Sequence, residues 1–141
     1  AETVVEFGFA VLVDCHSMPS AQPAQRHSNK IPRPDIIIGD RYGTACNGEI
    51  SRSIMHGFSA LGYSVVRNKP YAGGFITEHY GRPAKGLHAV QIEINRALYM
   101  DERTLDLSDG FDALSADIAT VMKQLVALPD NELPAERIAA E

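Results

Sequence analysis

Four short apolar runs constrain the fold more than any other feature of this chain. They are Phe7–Val13 (FGFAVLV), Ile36–Ile38, Tyr63–Val66 and Leu87–Ile94. Runs this short and rich in Val and Ile read as strands, and Phe7–Val13 is expected to be buried on both faces of a sheet. Between them the apolar period changes from two to nearly four. Ile50, Ile54, Phe58 and Leu61 share one helical face over residues 49–61, with Asn47 as cap and Gly62 as stop. Phe111, Leu114, Ile118, Val121, Leu125 and Leu128 form a second stripe, opened by Ser108 and Asp109 and closed by Pro129. Asp109 and Asp112 near its start suit the helix dipole. Strands alternating with helices predict a single α/β domain.

The connections are uneven. Residues 17–34 carry four prolines and read as a long loop; residues 67–86 are rich in Gly and Pro, with a short helical turn expected at Phe75–Tyr80. The tail from Asp130 reads as a short helix or frayed end.

Composition narrows the function. In 141 residues the net charge is −5 and 45% are apolar, so a true core is expected and no basic face is available for nucleic acid. No apolar run nears the roughly 20 residues of a membrane span. Ala1-Glu2-Thr3 does not open a signal peptide, and Cys15 and Cys46 read as unpaired thiols in a reducing cytoplasm.

Two places carry candidate chemistry. His16, in Asp14-Cys15-His16-Ser17, directly follows a strand, where ligands of open α/β sheets collect. With Asp14 or a carbonyl holding one ring nitrogen, the other can face a metal or a substrate; an ordinary hydrogen-bonded His at a strand end fits the local pattern too. In Ala89–Asn95, alternation sets Val90, Ile92 and Ile94 on one face and Gln91, Glu93 and Asn95 on the other. A carboxylate within such a strand is costly unless paired or working, so Glu93 is either a general base or a solvated surface group. His27, His56, His79 and His88 form no ligand pattern with one another. Arg41, Arg67 and Arg82 lie by strand ends, where a guanidinium can grip a carboxylate or simply face water. Gly73-Gly74 allows a sharp turn and close approach to a ligand.

Taken in order, VLVDCHSMPS (Val11–Ser20), DIIIGDRYGTAC (Asp35–Cys46), NKPYAGGFITEHYGRP (Asn68–Pro83) and HAVQIEINRALYMDE (His88–Glu102) resemble the N-formylglutamate amidohydrolase family. The resemblance implies part of a mixed sheet flanked by helices, similar to zinc carboxypeptidases, and hydrolysis of N-formyl-L-glutamate to glutamate and formate in cytoplasmic histidine degradation. It implies Zn2+ with His16 as a ligand, Glu93 as the catalytic base, and Arg41, Asn68 and Tyr71 as substrate contacts. The implied partner is a small-molecule N-acyl amino acid, with no nucleic acid and no membrane; a homo-oligomer stays open. The family's HxxE zinc pair is not found before His16, so upstream residues carrying it are expected. Hydrolysis of another N-acyl amino acid or amide, or a metal-free binding module, are the alternatives.

Overall fold

The computed structural model describes residues 2–20 and 33–128. The chain order is α1 (Glu2–Phe7), β1 (Ala10–Met18), β2 (Ile36–Gly39), α2 (Gly48–Ala60), β3 (Val65–Arg67), α3 (Phe75–Tyr80), β4 (Leu87–Asn95) and α4 (Phe111–Val126). The strands form one mixed sheet in the order β1-β4-β2-β3. β1 runs parallel to β4, while β2 and its parallel neighbour β3 run the opposite way. Among the described residues no helix is long and apolar enough to cross a membrane.

One face of the sheet is the core. Ile36, Ile38, Val90, Ile92 and Ile94 project from it onto Ile50, Ile54 and Phe58 of α2 and Leu114 and Val121 of α4. Full burial of each such side chain contributes about 1.5–3 kcal/mol. α2 begins as its sequence predicts, with the Asn47 side chain accepting the Glu49 N–H at 2.8 Å. α4 starts later than Ser108 and Asp109 would have it: Gly110 is its cap and the Ser108 carbonyl accepts the Phe111 N–H in a preceding turn. Phe111 is left partly exposed. Pro129 and the tail from Asp130 lie outside the described residues, as do His27 and most of the 17–34 loop.

The first strand departs from expectation. Residues 2–7 are helical, Gly8 breaks the chain at φ +79, and β1 starts at Ala10 and continues through Met18. It is an edge strand: Val11 and Val13 pack against the core, and Leu12 on the other face is 42% exposed. The continuous apolar run was therefore no sign of burial on both faces. Ser17, expected in loop, is instead within the strand.

A buried carboxylate fixes the turn that leaves β2. Asp40 Oδ2 accepts from Ser51 Oγ (2.6 Å) and Arg67 Nε (2.9 Å), and Oδ1 accepts from Asn68 Nδ2 (2.8 Å) and the Gly43 N–H (3.1 Å). It joins β2 to α2 and to the end of β3, and it holds Arg41 and Tyr42 at φ +55 and +58, where non-glycine residues are strained. Burial works to raise the Asp40 carboxyl, but the hydrogen bonds from Arg67, Ser51 and Asn68 together outweigh it and keep it below its ordinary value.

Asp40→Asn leaves Arg67 without its buried partner and should cost about 3–5 kcal/mol, read from urea unfolding at pH 7. The depressed carboxyl stabilises the fold fully above its unfolded value of roughly 3.9, and that contribution is lost as pH falls through the folded value. The variant should therefore show a flatter stability profile on the acid side; a profile parallel to that of the unsubstituted protein would contradict this role.

Candidate active site

The second face of the sheet is polar where the first is apolar. Alternation places Asp14, His16 and Met18 of β1, Gln91, Glu93 and Asn95 of β4, and Ile37 and Gly39 of β2 together on it. The parallel register pairs His16 with Glu93 and Asp14 with Gln91, so the imidazole and the carboxylate stand side by side on neighbouring strands, roughly 4.8 Å apart at the backbone. The antiparallel register sets Ile37 on the other side of Glu93 as an apolar wall.

Each member of this group is oriented by another. Asp14 Oδ1 lies 3.0 Å from His16 Nδ1, a close charge contact that engages that nitrogen and leaves Nε2 as the free edge of a half-exposed ring. The second oxygen, Asp14 Oδ2, is buried with no hydrogen-bond partner among the described residues. Glu93 is only 7% exposed, and its Oε1 accepts from Gln91 Nε2. Gln91 in turn accepts the Gly74 N–H at 2.7 Å. Gln91 is a residue that sequence reasoning placed on this face without a role; its signal was the alternation that singled out Glu93.

The loop from Asn68 to Gly74 and the helix α3 lie over this face. They approach so closely that a Cβ on Gly39 would stand 2.5 Å from the Gly73 nitrogen, and one on Gly73, at φ +106, would strike the Thr77 side chain. The close approach that the Gly pair permits is thus to the protein's own sheet. It brings the Gly74 N–H onto Gln91.

The three remaining assignments separate. Tyr71 sits in the same loop, its hydroxyl accepting from Arg33 Nη1 at 3.1 Å, near the exit of β1. Asn68 is buried and uses both ends of its amide on Asp40, accepting the Asp40 N–H at 3.0 Å and donating to its carboxylate. Arg41 does not reach the His16–Glu93 pair. β2 runs antiparallel to β4, so the chain leaving β2 heads toward the start of β4, and Arg41 Nη2 pairs there with Glu78 Oε2 of α3 at 3.3 Å. Arg41, Glu78, Arg82 and Lys85 are among the residues lining a cavity of about 410 Å³ that contains neither His16 nor Glu93. Arg67 is held by Asp40. His88 accepts the Asn47 N–H, and burial holds its imidazole below its usual value.

The chemistry this arrangement offers is proton transfer by Glu93 beside a donor nitrogen on His16. Among the described residues no group of three or more His, Cys, Asp or Glu side chains could hold a metal ion, so His16 stands as a single candidate ligand. The carboxylate of Asp14 beside its ring is the kind of partner that orients a ligating imidazole.

The sequence profile of the N-formylglutamate amidohydrolase family matches residues 1–100. The N-formylglutamate deformylase of Pseudomonas aeruginosa is 35% identical over 130 residues, which is 90% of this chain and 48% of that protein. The N-formylglutamate deformylase of Pseudomonas putida is 40% identical over 98 residues, 69% of this chain and 36% of that protein. The crystal structure of N-formylglutamate amidohydrolase from Ralstonia eutropha superposes with a TM-score of 0.74 at 32% identity, over 89% of this chain and 44% of that one. The chain thus spans about half the length, or less, of the relatives it matches. By profile, sequence and structure, it belongs to the N-formylglutamate amidohydrolase family.

Proposed function

We propose that the whole protein of which this chain forms part hydrolyses N-formyl-L-glutamate to L-glutamate and formate, with zinc at His16 and with Glu93 as the catalytic base. The observation that carries the reading is the register that sets His16 beside Glu93 on the polar face of the sheet. Membership of a family whose relatives are deformylases of this substrate supports it.

The fit of the residues to zinc rests on the Asp14–His16 contact, which leaves Nε2 as the donor, and on the chemistry of a neutral imidazole, a common zinc ligand. Catalytic zinc takes three protein ligands. In this reading the other two come from the remaining part of the whole protein, which the relatives' greater length leaves room for. When bound, zinc supplies a water with a pKa near 7 and a positive charge for the formyl oxygen.

The chain's own residues do the rest. Gln91 occupies Glu93 Oε1, so Oε2 is the oxygen that takes the proton from the attacking water. The water oxygen bonds to the formyl carbon, the carbon–nitrogen bond breaks, and Glu93 returns the proton to the departing glutamate nitrogen. Ile37 keeps bulk water from one side of the carboxylate, and the Gly74 N–H fixes Gln91 and through it the rotamer of Glu93. Asp14 fixes the ring of His16. Arg41 and Asn68 act as positioning residues: the Arg41 N–H donates to the Ala72 carbonyl at 2.8 Å and Asn68 anchors the loop's start, which together set the path on which Tyr71 meets the substrate.

In the whole protein, Glu93→Gln should lower kcat on N-formyl-L-glutamate by about 10³-fold with zinc content unchanged, measured by formate release and by elemental analysis. Turnover near normal would remove Glu93 from the reaction. His16→Ala should give protein that folds but purifies with its zinc largely lost; full metal content in that variant contradicts the ligand assignment.

A further inference from the structure

Arg33 lies outside every role given so far. Its backbone enters β2, and the segment is tied to the last residue of β4: the Asn95 N–H donates to the Asp35 carbonyl at 2.9 Å and Asn95 Nδ2 to the Pro34 carbonyl at 3.3 Å. Its side chain reaches the other way. Nη1 donates to the carbonyl of Pro19, one residue past β1, at 2.9 Å, and to the Tyr71 hydroxyl at 3.1 Å, while the guanidinium carbon stands 5.7 Å from the centre of the Tyr71 ring. The guanidinium therefore spans from the entrance of β2 to the exit of β1, across the end of the central strand β4. Met18 and Asn95, the last pair of the β1–β4 register, are two residues beyond His16 and Glu93, which is roughly 7 Å along the strands.

One edge of this guanidinium is unclaimed. Nε is buried with no hydrogen-bond partner among the described residues, and Nη2 makes no hydrogen bond there either. Nε and Nη2 form the side-on fork that matches the two oxygens of a carboxylate. A buried, unpartnered N–H on a charged group is costly, and a group kept at that cost is a candidate for ligand binding. Glu102 is the nearest rival charge: it is held by the Ser20 N–H and hydroxyl and lies 4.0 Å from Arg96, and although it feels the Arg33 charge through space it makes no hydrogen bond or salt bridge to the open edge of the guanidinium. Arg96 itself donates to Ser17 on the opposite face of the sheet.

The geometry points to Arg33, braced by Tyr71 and the Pro19 carbonyl, as the residue that binds the side-chain carboxylate of the substrate and so selects acidic N-acyl amino acids. The side-chain carboxyl carbon of N-formylglutamate is five bonds from the formyl carbon, roughly 6 Å when extended, which is comparable to the roughly 7 Å along the strands from the His16–Glu93 pair to the end of β4 that the guanidinium crosses. For its catalytic consequence the inference rests on the hydrolase reading; as a statement about binding it does not.

The test compares Arg33→Met and Arg33→Lys with the unsubstituted whole protein on N-formyl-L-glutamate and on N-formyl-L-glutamine, a neutral substrate of nearly the same shape. Arg33→Met should lower kcat/KM for the acidic substrate by roughly 10- to 100-fold, mostly through KM, and change the neutral one by no more than about twofold. Arg33→Lys, which keeps the charge and loses the fork, should fall between. Equal losses on both substrates, or no loss on either, overturns the inference. Calorimetric binding of glutarate, which has no scissile amide, is independent of turnover: binding that weakens at least tenfold in Arg33→Met supports the carboxylate site even if the unsubstituted protein hydrolyses neither substrate, and equal binding by both proteins overturns it.

Discussion

The parallel pairing of β1 with β4 is the constraint on which the site depends. Side chains on a strand alternate with a period of two, so a slip of one residue in that register would move His16 to the apolar face or Glu93 away from it. The register is protected by the contrast between the two faces. Val11, Val13, Val90, Ile92 and Ile94 must meet the helices, and any shift that exposes them also buries Asp14, His16, Gln91 and Glu93 against hydrocarbon. Packing of the core thereby sets the relative placement of two reactive groups that never touch the core themselves.

A second constraint acts across the sheet. Asp40 is fully buried and joined to Ser51, Arg67, Asn68 and Gly43, so the start of the loop over the polar face is tied to a carboxylate in the interior. From Asn68 the loop must return over Gly39 to deliver the Gly74 N–H to Gln91 and Tyr71 to Arg33, and only glycine at 39 leaves room for it. The polar face is thus organised by single contacts in series: hydrogen bonds from Gly74 to Gln91 to Glu93 along one strand, and the Asp14–His16 charge contact along the next.

Much of the fold was readable from local pattern. Asn47 caps α2 because its side chain replaces a missing helical partner, and the alternation from Leu87 to Asn95 describes β4 as it stands. The failures have physical causes. Within the run Phe7–Val13, Phe9, Val11 and Val13 pack on the core while Leu12 between them faces out, so an unbroken apolar run could not separate an edge strand from a central one. Arg41, a substrate contact by resemblance, lies past the carboxyl end of β2, and because β2 runs against β4 that end leads away from His16 and Glu93 toward Glu78, a direction no local pattern reveals. Arg33 escaped notice for the complementary reason. It precedes β2 within a Pro-rich stretch, and only the antiparallel course of β2 brings that entrance beside the exit of β1. Glu93, by contrast, was visible because a carboxylate within an otherwise apolar strand is costly unless it is paired or working, and the structure adds the partner, Gln91, that holds it.

The central claim is that the imidazole of residue 16 and the carboxylate of residue 93 address one metal centre. Anomalous diffraction at the zinc edge from crystals of the whole protein tests it most directly. The account predicts a single strong peak about 2.0–2.1 Å from His16 Nε2, on the polar face and in front of Glu93. A peak elsewhere, with the ring of His16 bound to nothing but Asp14, would contradict it.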